Sequence, residues 1–152
     1  MSRSLKAAFL VAALVLAAQA IRPERTNPPE DRSLTLVAQR TVEPEVAALL
    51  DRACADCHTH RTRWPWYSEV APASWLLAHD VEEGRGELNL SEWGRYPPDR
   101  QHKLLGEVCE DVESGEMPPA AYRFLHPEAR LATEEARRLC EWARAAPRAP
   151  TP

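Results

Sequence analysis

The sequence of 152 residues predicts one small all-α domain of about four short helices joined by long loops. Apolar residues recur three and four positions apart in several segments, as they do on one face of a helix. No segment alternates between apolar and polar residues in the manner of a half-buried strand. Proline and glycine interrupt the helical segments, so the predicted helices are short.

The first twenty residues are typical of an export signal. Arg3 and Lys6 form a basic start, residues 7–18 are an unbroken apolar run, and residues 18–20 (Ala-Gln-Ala) have the small-x-small pattern of a signal peptidase site. The apolar run is shorter than the roughly 20 residues of a spanning helix, which favours a cleaved signal peptide over residues 1–20. An uncleaved membrane anchor is the alternative. In either case the rest of the chain is expected in the periplasm, secreted across the bacterial inner membrane or anchored to it.

Residues 21–44 are predicted to be an extended tether. Arg22-Pro23 and Asn27-Pro28-Pro29 favour extended or turn backbone, and charged residues are frequent. If the anchor is retained, the tether spaces the domain from the membrane. Residues 45–146 form the predicted domain, and the proline-rich residues 147–152 are predicted to be disordered.

Four segments have the helical spacing of apolar residues. The first begins at Pro44 and runs into residue 54; the second covers about 74–83 and ends at Gly84 or Gly86; the third covers about 99–114 with Gly115 after it; the fourth covers 133–145 with Thr133 as its cap. A compact loop around Trp93 precedes the third helix. Four helices of this size bury little apolar surface. Such small domains are only marginally stable unless a cross-link or a bound group adds stability.

A Cys-x-x-Cys-His motif follows the first predicted helix at residues 54–58. With this spacing, Cys54 and Cys57 can each add across a haem vinyl group, and His58 is then held under the iron as an axial ligand. Thioether attachment normally takes place outside the cytoplasm, in agreement with the export signal. A covalently attached haem would also supply the apolar core that short helices lack. The sequence therefore predicts a small domain wrapped around one covalently attached haem c.

Met117 is the predicted sixth ligand of the iron. It is the only methionine besides the initiator, and it follows a helix end in a loop restrained by Pro118 and Pro119. A thioether there can reach the haem face opposite His58 and would raise the reduction potential relative to two nitrogen ligands. His79 is the main rival, and a Met117 that only fills the core is the other alternative. Three further histidines are weaker candidates: His60, His102 and His126.

Aromatic and arginine side chains downstream of the motif are candidates for the haem pocket. Indole and phenol groups can wall a haem and donate a hydrogen bond, and arginines pair with propionate carboxylates. An ordinary aromatic core with solvated arginines is the alternative. The candidates are Trp64, Trp66, Tyr67 and Trp75, together with Arg61, Arg63 and Arg85.

Cys109 and Cys140 lie on the third and fourth predicted helices. In an exported chain they are candidates for a disulfide, which requires their Cα atoms to come within about 7 Å. Two buried free thiols that act as small apolar residues are the alternative.

Charge and motifs argue against several other functions. Loss of residues 1–20 would remove Arg3 and Lys6 from the 19 basic residues and leave all 23 acidic residues, for a net charge of −6 with neutral histidines. This balance argues against nucleic acid as a partner. A structural zinc module usually has a second Cys pair or a spaced His pair, and a thioredoxin-like dithiol needs a βαβ context; neither is found. No supported Ser/His/Asp set or phosphate-binding loop indicates an enzyme.

A long ordered series of motifs resembles the bacterial haem-binding domain family related to c-type cytochromes. The resemblance covers about residues 21–143. After the Cys-x-x-Cys-His motif it includes Trp64-Pro-Trp-Tyr-Ser68, Ala71-Pro72, Ser74-Trp75, Asp80-Val-Glu-Glu-Gly-Arg85, Leu88-Asn89, Ser91-x-Trp93, Gly115-Glu-Met-Pro118, Tyr122, His126-Pro127 and Trp142. The resemblance implies covalent haem c, a short export or anchor segment and a periplasmic domain, with Met117 at the family's Gly-Glu-Met-Pro position. It implies no settled physiological role.

These observations together predict a periplasmic monohaem protein, similar to c-type cytochromes, that carries single electrons and is not itself an enzyme. Its redox partner is unknown, and the membrane is a partner only through the N-terminal anchor. A haem-based sensor of small ligands and a structural zinc module are the alternatives.

Overall fold

The computed structural model describes residues 2–145, and every regular element in that range is a helix, which confirms the all-α prediction. The α-helices are α1 (Arg3–Ala18), α2 (Leu36–Gln39), α3 (Pro44–Ala53), α4 (Ala55–His58), α5 (Ala73–Glu87), α6 (Pro98–Ser114), α7 (Ala120–Leu125) and α8 (Thr133–Arg144). Short 3-10 turns cover Arg32–Leu34, Trp66–Glu69, Trp93–Arg95 and Pro127–Ala129. Among residues 2–145, no helix combines the length and apolar character needed to cross a membrane. The predicted tail, residues 147–152, lies outside the described residues.

The four predicted helices correspond to α3, α5, α6 and α8, but the second helix is longer than predicted. The sequence predicts that Gly84 or Gly86 ends it, whereas α5 continues to Glu87. Gly84 is buried inside the helix and lies against the backbone of Cys57. This glycine therefore serves close packing, not helix termination.

The C-terminus of α6 and the N-terminus of α8 are formed by different local interactions. Gly115 follows α6 with φ 80°, in the left-handed region that glycine enters without steric cost. The predicted cap Thr133 is instead the first residue of α8, and Ala132 occupies the cap position. The N–H of Ala132 donates to the carboxylate of Glu135 at 2.9 Å, so an acidic side chain replaces the expected hydroxyl cap.

The apolar core lies between α3, α6, α8 and the loop before α6. Trp93 is fully buried at its centre and packs edge-to-face on Tyr96, with ring centroids 6.0 Å apart. The remaining buried core residues are Leu36, Val46, Leu49, Leu50, Leu88, Leu90, Leu104, Leu105, Leu139 and Ala143.

The segment predicted as an extended tether packs against the domain and is helical in part: it contains the 3-10 turn Arg32–Leu34 and α2, and Leu36 is buried in the core. Asn27 donates to the carbonyl of Thr62 at 2.9 Å, and the Leu36 N–H donates to the carbonyl of Leu90 at 2.8 Å. Arg85 donates to the Asn27 side-chain oxygen at 2.9 Å. Residues 21–44 are therefore held by the domain over much of their length, while a spacing role relative to a membrane stays a prediction.

A disulfide joins Cys109 of α6 to Cys140 of α8, with their Cα atoms 4.9 Å apart. Both residues are buried in the contact between the two helices. The bond closes a loop between residues 109 and 140 that contains Met117, so it restrains the chain on both sides of the proposed iron ligand.

Replacement of both residues of the disulfide, Cys109→Ala with Cys140→Ala, should lower the free energy of unfolding by about 2–4 kcal/mol because the unfolded chain gains conformational freedom. Denaturant unfolding followed by circular dichroism measures the change. Intact mass after alkylation, with and without reductant, checks the bond itself. Equal masses under the two conditions would contradict the disulfide.

Candidate functional site

The Cys-x-x-Cys-His motif forms a single helical turn. The N–H of His58 donates to the carbonyl of Cys54 at 2.9 Å, which closes the turn that contains α4. Cys54 and Cys57 are free thiols, each partly exposed. Both cysteines and His58 line the same cavity, so the turn presents two sulfur atoms and one imidazole to a common space.

The His58 imidazole is oriented by two backbone carbonyls of the α5 end. Its Nδ1 lies 2.9 Å from the carbonyl oxygen of Gly84 and 3.0 Å from that of Leu88. Because both partners are acceptors, Nδ1 carries the proton and the Nε2 lone pair is left for a metal. The His58 carbonyl also accepts from the Leu90 N–H at 2.8 Å. A hydrogen bond from the protonated ring nitrogen to a backbone carbonyl, as Nδ1 of His58 makes to Gly84 and Leu88, is the usual support of a metal-bound histidine.

Gly84 allows α5 to approach the motif closely. A Cβ atom at this position would lie 2.9 Å from the carbonyl oxygen of Cys57 and 3.2 Å from its Cβ. Only glycine leaves room for this contact without a backbone shift. The contact sets the distance at which the Gly84 carbonyl meets the His58 ring.

Two adjoining cavities of about 300 Å³ each lie beside the motif. They share Cys54, His58, Glu87, Val112 and Met117 in their walls, and together they form the central crevice. Its further apolar wall consists of Leu50, Ala53, Leu88, Leu90, Leu104, Val108, Pro118 and Pro119. An apolar crevice with two thiols, an available imidazole nitrogen and a thioether on its walls fits a haem held through its vinyl groups.

The thiols of the motif are poor nucleophiles in this environment. Burial, reinforced by the neighbouring Cys57, raises the pKa of Cys54 to about 12. Burial first, and then Asp80 and Asp56, raise the pKa of Cys57 to about 11. A redox dithiol requires a thiol of lowered pKa, so these raised pKa values do not favour that use.

Potential metal ligands converge elsewhere in the described chain. Across residues 2–145, three potential ligands lie close enough to hold one metal ion at Cys109, Glu113 and Cys140. The two cysteines of this cluster are joined in the disulfide. The motif at residues 54–58 does not gather a comparable cluster. The geometry therefore gives the zinc alternative no support.

Asp56 and Tyr122 are part of the site, although neither was among the residues predicted for the haem pocket. The Tyr122 hydroxyl donates to Asp56 Oδ2 at 2.7 Å, and Arg63 Nε donates to Oδ1 at 2.9 Å. Burial, followed by the hydrogen bond to Asp56, raises the pKa of Tyr122, which stays protonated as a donor. The bond ties α4 to α7, which carries Tyr122 into the crevice wall. Two features of the sequence could have indicated these residues: an acidic residue between the two cysteines of the motif, and a tyrosine shortly after Pro118-Pro119.

The aromatic residues predicted for the haem pocket lie outside the central crevice. Trp66 is 79% exposed, and the Trp75 indole donates to the carbonyl of Ile21 at 2.8 Å. Trp64 and Trp75 border a separate surface groove. The Tyr67 hydroxyl lies 2.7 Å from His126 Nε2, away from the crevice walls. None of the four lines the crevice, because their segment turns toward the N-terminal residues, so a role in walling a haem stays a prediction.

The arginines predicted to pair with propionates have other partners. Arg61 pairs with Glu30 at 3.4 Å, Arg63 binds Asp56, and Arg85 donates to the Thr59 carbonyl at 2.8 Å. None of the three lines the crevice. The charged residues that line it are acidic: Asp56, Asp80, Glu83, Glu87, Glu107 and Asp111. Burial raises the pKa of Asp80.

The structure separates the rival iron ligands from Met117. His79 is exposed over 69% of its side chain, lies 3.8 Å from Glu83 and borders the separate groove. His60 and His126 bind Asn89 and Tyr67, and His102 lies half-buried on α6 outside the crevice walls. Met117 alone among these candidates shares the crevice with His58.

The family model for the haem-binding domain matches residues 13–145. The chain belongs to the haem-binding domain family. The match extends over α2 to α8 and over every crevice residue named above, and it agrees with the resemblance seen in the sequence motifs. No curated protein and no solved structure matches the chain. The family assignment supports haem as the group that the protein binds.

The substitution Gly84→Ala should lower the free energy of unfolding by about 1–3 kcal/mol, because the new Cβ forces α5 away from the motif. The same shift lengthens the His58 hydrogen bonds, so less haem should be incorporated per chain. Denaturant unfolding and the ratio of haem to protein absorbance measure the two effects.

Gly86→Ala is the matched control, since a Cβ there meets nothing within 4 Å. It should stabilise the helix slightly, by up to about 1 kcal/mol, because alanine is the better helix former. Similar losses in both variants would contradict the role assigned to the Gly84 contact.

Proposed function

We propose that the protein is a periplasmic carrier of single electrons with one haem c attached through Cys54 and Cys57. The observation that carries the proposal is the shared crevice: two thiols, the Nε2 of His58 and the Met117 thioether face one apolar space. When bound, haem supplies an iron that alternates between the ferric and ferrous states. Membership of the haem-binding domain family supports the cofactor.

Several residues of the crevice would hold the haem, each through a different interaction. Cys54 and Cys57 fix its edge, and the carbonyls of Gly84 and Leu88 hold His58 so that Nε2 points into the crevice. The bond between Asp56 and Tyr122 keeps α7 against the motif. Fixed ligands suit electron transfer because little has to reorganise when the charge changes.

Met117 is the proposed sixth ligand. Its N–H donates to the carbonyl of Asp111 at 3.0 Å, and Pro118 and Pro119 restrict the loop after it. The acidic side chains around the crevice stabilise the more positive ferric state. They therefore lower the reduction potential relative to the same two ligands in a neutral pocket.

A sensor function is the second candidate. Met117 is 38% exposed and lies on a loop, which is the position of a ligand that a small gas molecule can displace. The carrier is preferred because the loop is held at Asp111 and closed by the disulfide between Cys109 and Cys140.

Export of the chain is part of the proposal, since thioether attachment of haem normally occurs outside the cytoplasm. The basic start and apolar run of residues 1–20 support export. Covalent haem would itself report that export and maturation took place.

Produced in a host with haem c maturation, the protein should be red and keep its haem after acid-acetone extraction. Intact mass should show one haem added to the chain, because two thioether bonds survive denaturation. The double variant Cys54→Ala with Cys57→Ala is the control and should release all colour into the solvent. Colour released equally from the unchanged protein would rule out covalent attachment.

Replacement of Met117 by alanine should remove the weak sulfur-to-iron band of the ferric spectrum, because the thioether ligand is lost. The control His79→Ala should leave this band unchanged. Absorbance spectra of the two purified variants make the comparison. Loss of the band in the His79 variant alone would reverse the assignment.

Carbon monoxide separates the carrier from the sensor. The unchanged ferrous protein should bind it slowly, since Met117 must leave first, whereas Met117→Ala should bind it rapidly. Rapid binding by the unchanged protein would favour the sensor.

A further inference from the structure

The first helix exposes apolar side chains along its whole length. None of its residues is buried, and the exposed large side chains are Leu5, Phe9, Leu10, Val11, Leu14, Val15 and Leu16. Apolar surface of this extent on one element indicates contact with another apolar phase. α1 is therefore expected to be covered by lipid wherever the chain retains it.

The end of α1 is bonded to the domain rather than joined through a free linker. The Gln19 side chain makes two hydrogen bonds with the main chain of Ala71: Oε1 accepts from the N–H at 2.9 Å, and Nε2 donates to the carbonyl at 3.3 Å. Trp75 donates to the carbonyl of Ile21 at 2.8 Å. These three bonds fix where α1 meets the start of α5.

Exposed apolar side chains surround this junction. Ile21, Val70, Trp75 and Leu76 are all exposed, and each is either bonded at the junction or next in sequence to a bonded residue. These four residues form the attachment face. Trp75 at such a place combines an apolar ring with a satisfied N–H, as tryptophans do at the interface between lipid and water.

We propose that the attachment face lies against a lipid surface into which α1 inserts, so that the domain is held in one orientation. The charge of α1 agrees, because residues 2–18 contain Arg3 and Lys6 but no acidic residue, and anionic headgroups attract such a segment. Arg22, just after the helix, is paired with Glu69 at 3.7 Å. The face is continuous with the apolar surface of α1 through Gln19 and Ile21. This inference requires that residues 1–20 are retained, and it is independent of how the haem functions.

The chain supplies its own matched pair for the test. Leu76 of the attachment face is 55% exposed, and Leu125 of α7 is 52% exposed, so water alone should reach them equally. The full haem-loaded chain is placed in vesicles of phosphatidylglycerol and phosphatidylethanolamine, and hydroxyl-radical oxidation is measured by mass spectrometry. Leu76 should be oxidised at least about fivefold more slowly than Leu125, since lipid excludes water from it. Equal rates would overturn the proposal.

The variant Gln19→Ala tests the junction. It removes both bonds to Ala71 but leaves α1 apolar, so the chain should still float with the vesicles. Oxidation of Leu76 should then rise toward that of Leu125, while an unchanged haem spectrum shows an intact fold. A Leu76 that stays protected would overturn the fixed orientation. Recovery of the chain from exporting cells only as a form that begins at Ile21 would overturn the proposal as a whole.

Discussion

The site depends on one constraint, the close approach of α5 to the motif turn at Gly84. This contact brings the carbonyls of Gly84 and Leu88 to within 3.0 Å of the Nδ1 of His58. These two acceptors favour the tautomer in which Nδ1 carries the proton and Nε2 is available as a metal ligand. A larger residue at position 84 would move α5 away from α4 and weaken the hydrogen bonds that orient the His58 imidazole. The packing of these two helices and the orientation of His58 are therefore coupled.

The crevice and the apolar core share residues, which explains how a domain of short helices is stabilised. Leu50, Leu88, Leu90 and Leu104 pack in the core and also line the crevice wall. A haem in the crevice would extend that core without further secondary structure. The disulfide joins α6 to α8, two helices that also contribute side chains to the core. A bound haem and the disulfide would thus both compensate for the small apolar core that short helices can form.

The sequence predicted the local parts of the site and two distant ones, the place of Met117 beside His58 and the bond between Cys109 and Cys140. Helical spacing located α3, α5, α6 and α8, and the five-residue motif located two cysteines and a histidine that line the crevice, because the motif lies within one turn. The sequence did not show whether the aromatic residues after the motif reach the crevice, since nearness in sequence does not show which way a loop turns. Trp75 donates to the carbonyl of Ile21, and Arg85 donates to the carbonyl of Thr26, through contacts that depend on the path of the N-terminal segment. No periodicity in the sequence encodes that path.

The acidic lining of the crevice has a consequence for the haem propionates. The predicted arginine partners are engaged elsewhere: Arg63 binds Asp56, and Arg85 binds backbone carbonyls near the N-terminal segment. The lining residues of the crevice contribute carboxylates from α5 and α6 instead, such as Glu87 and Glu107. Propionates and these carboxylates would repel one another, so a haem bound in the crevice would be favoured with its propionates toward water. Glu87 and Glu107 would thus influence the orientation of the haem although neither belongs to the Cys-x-x-Cys-His motif.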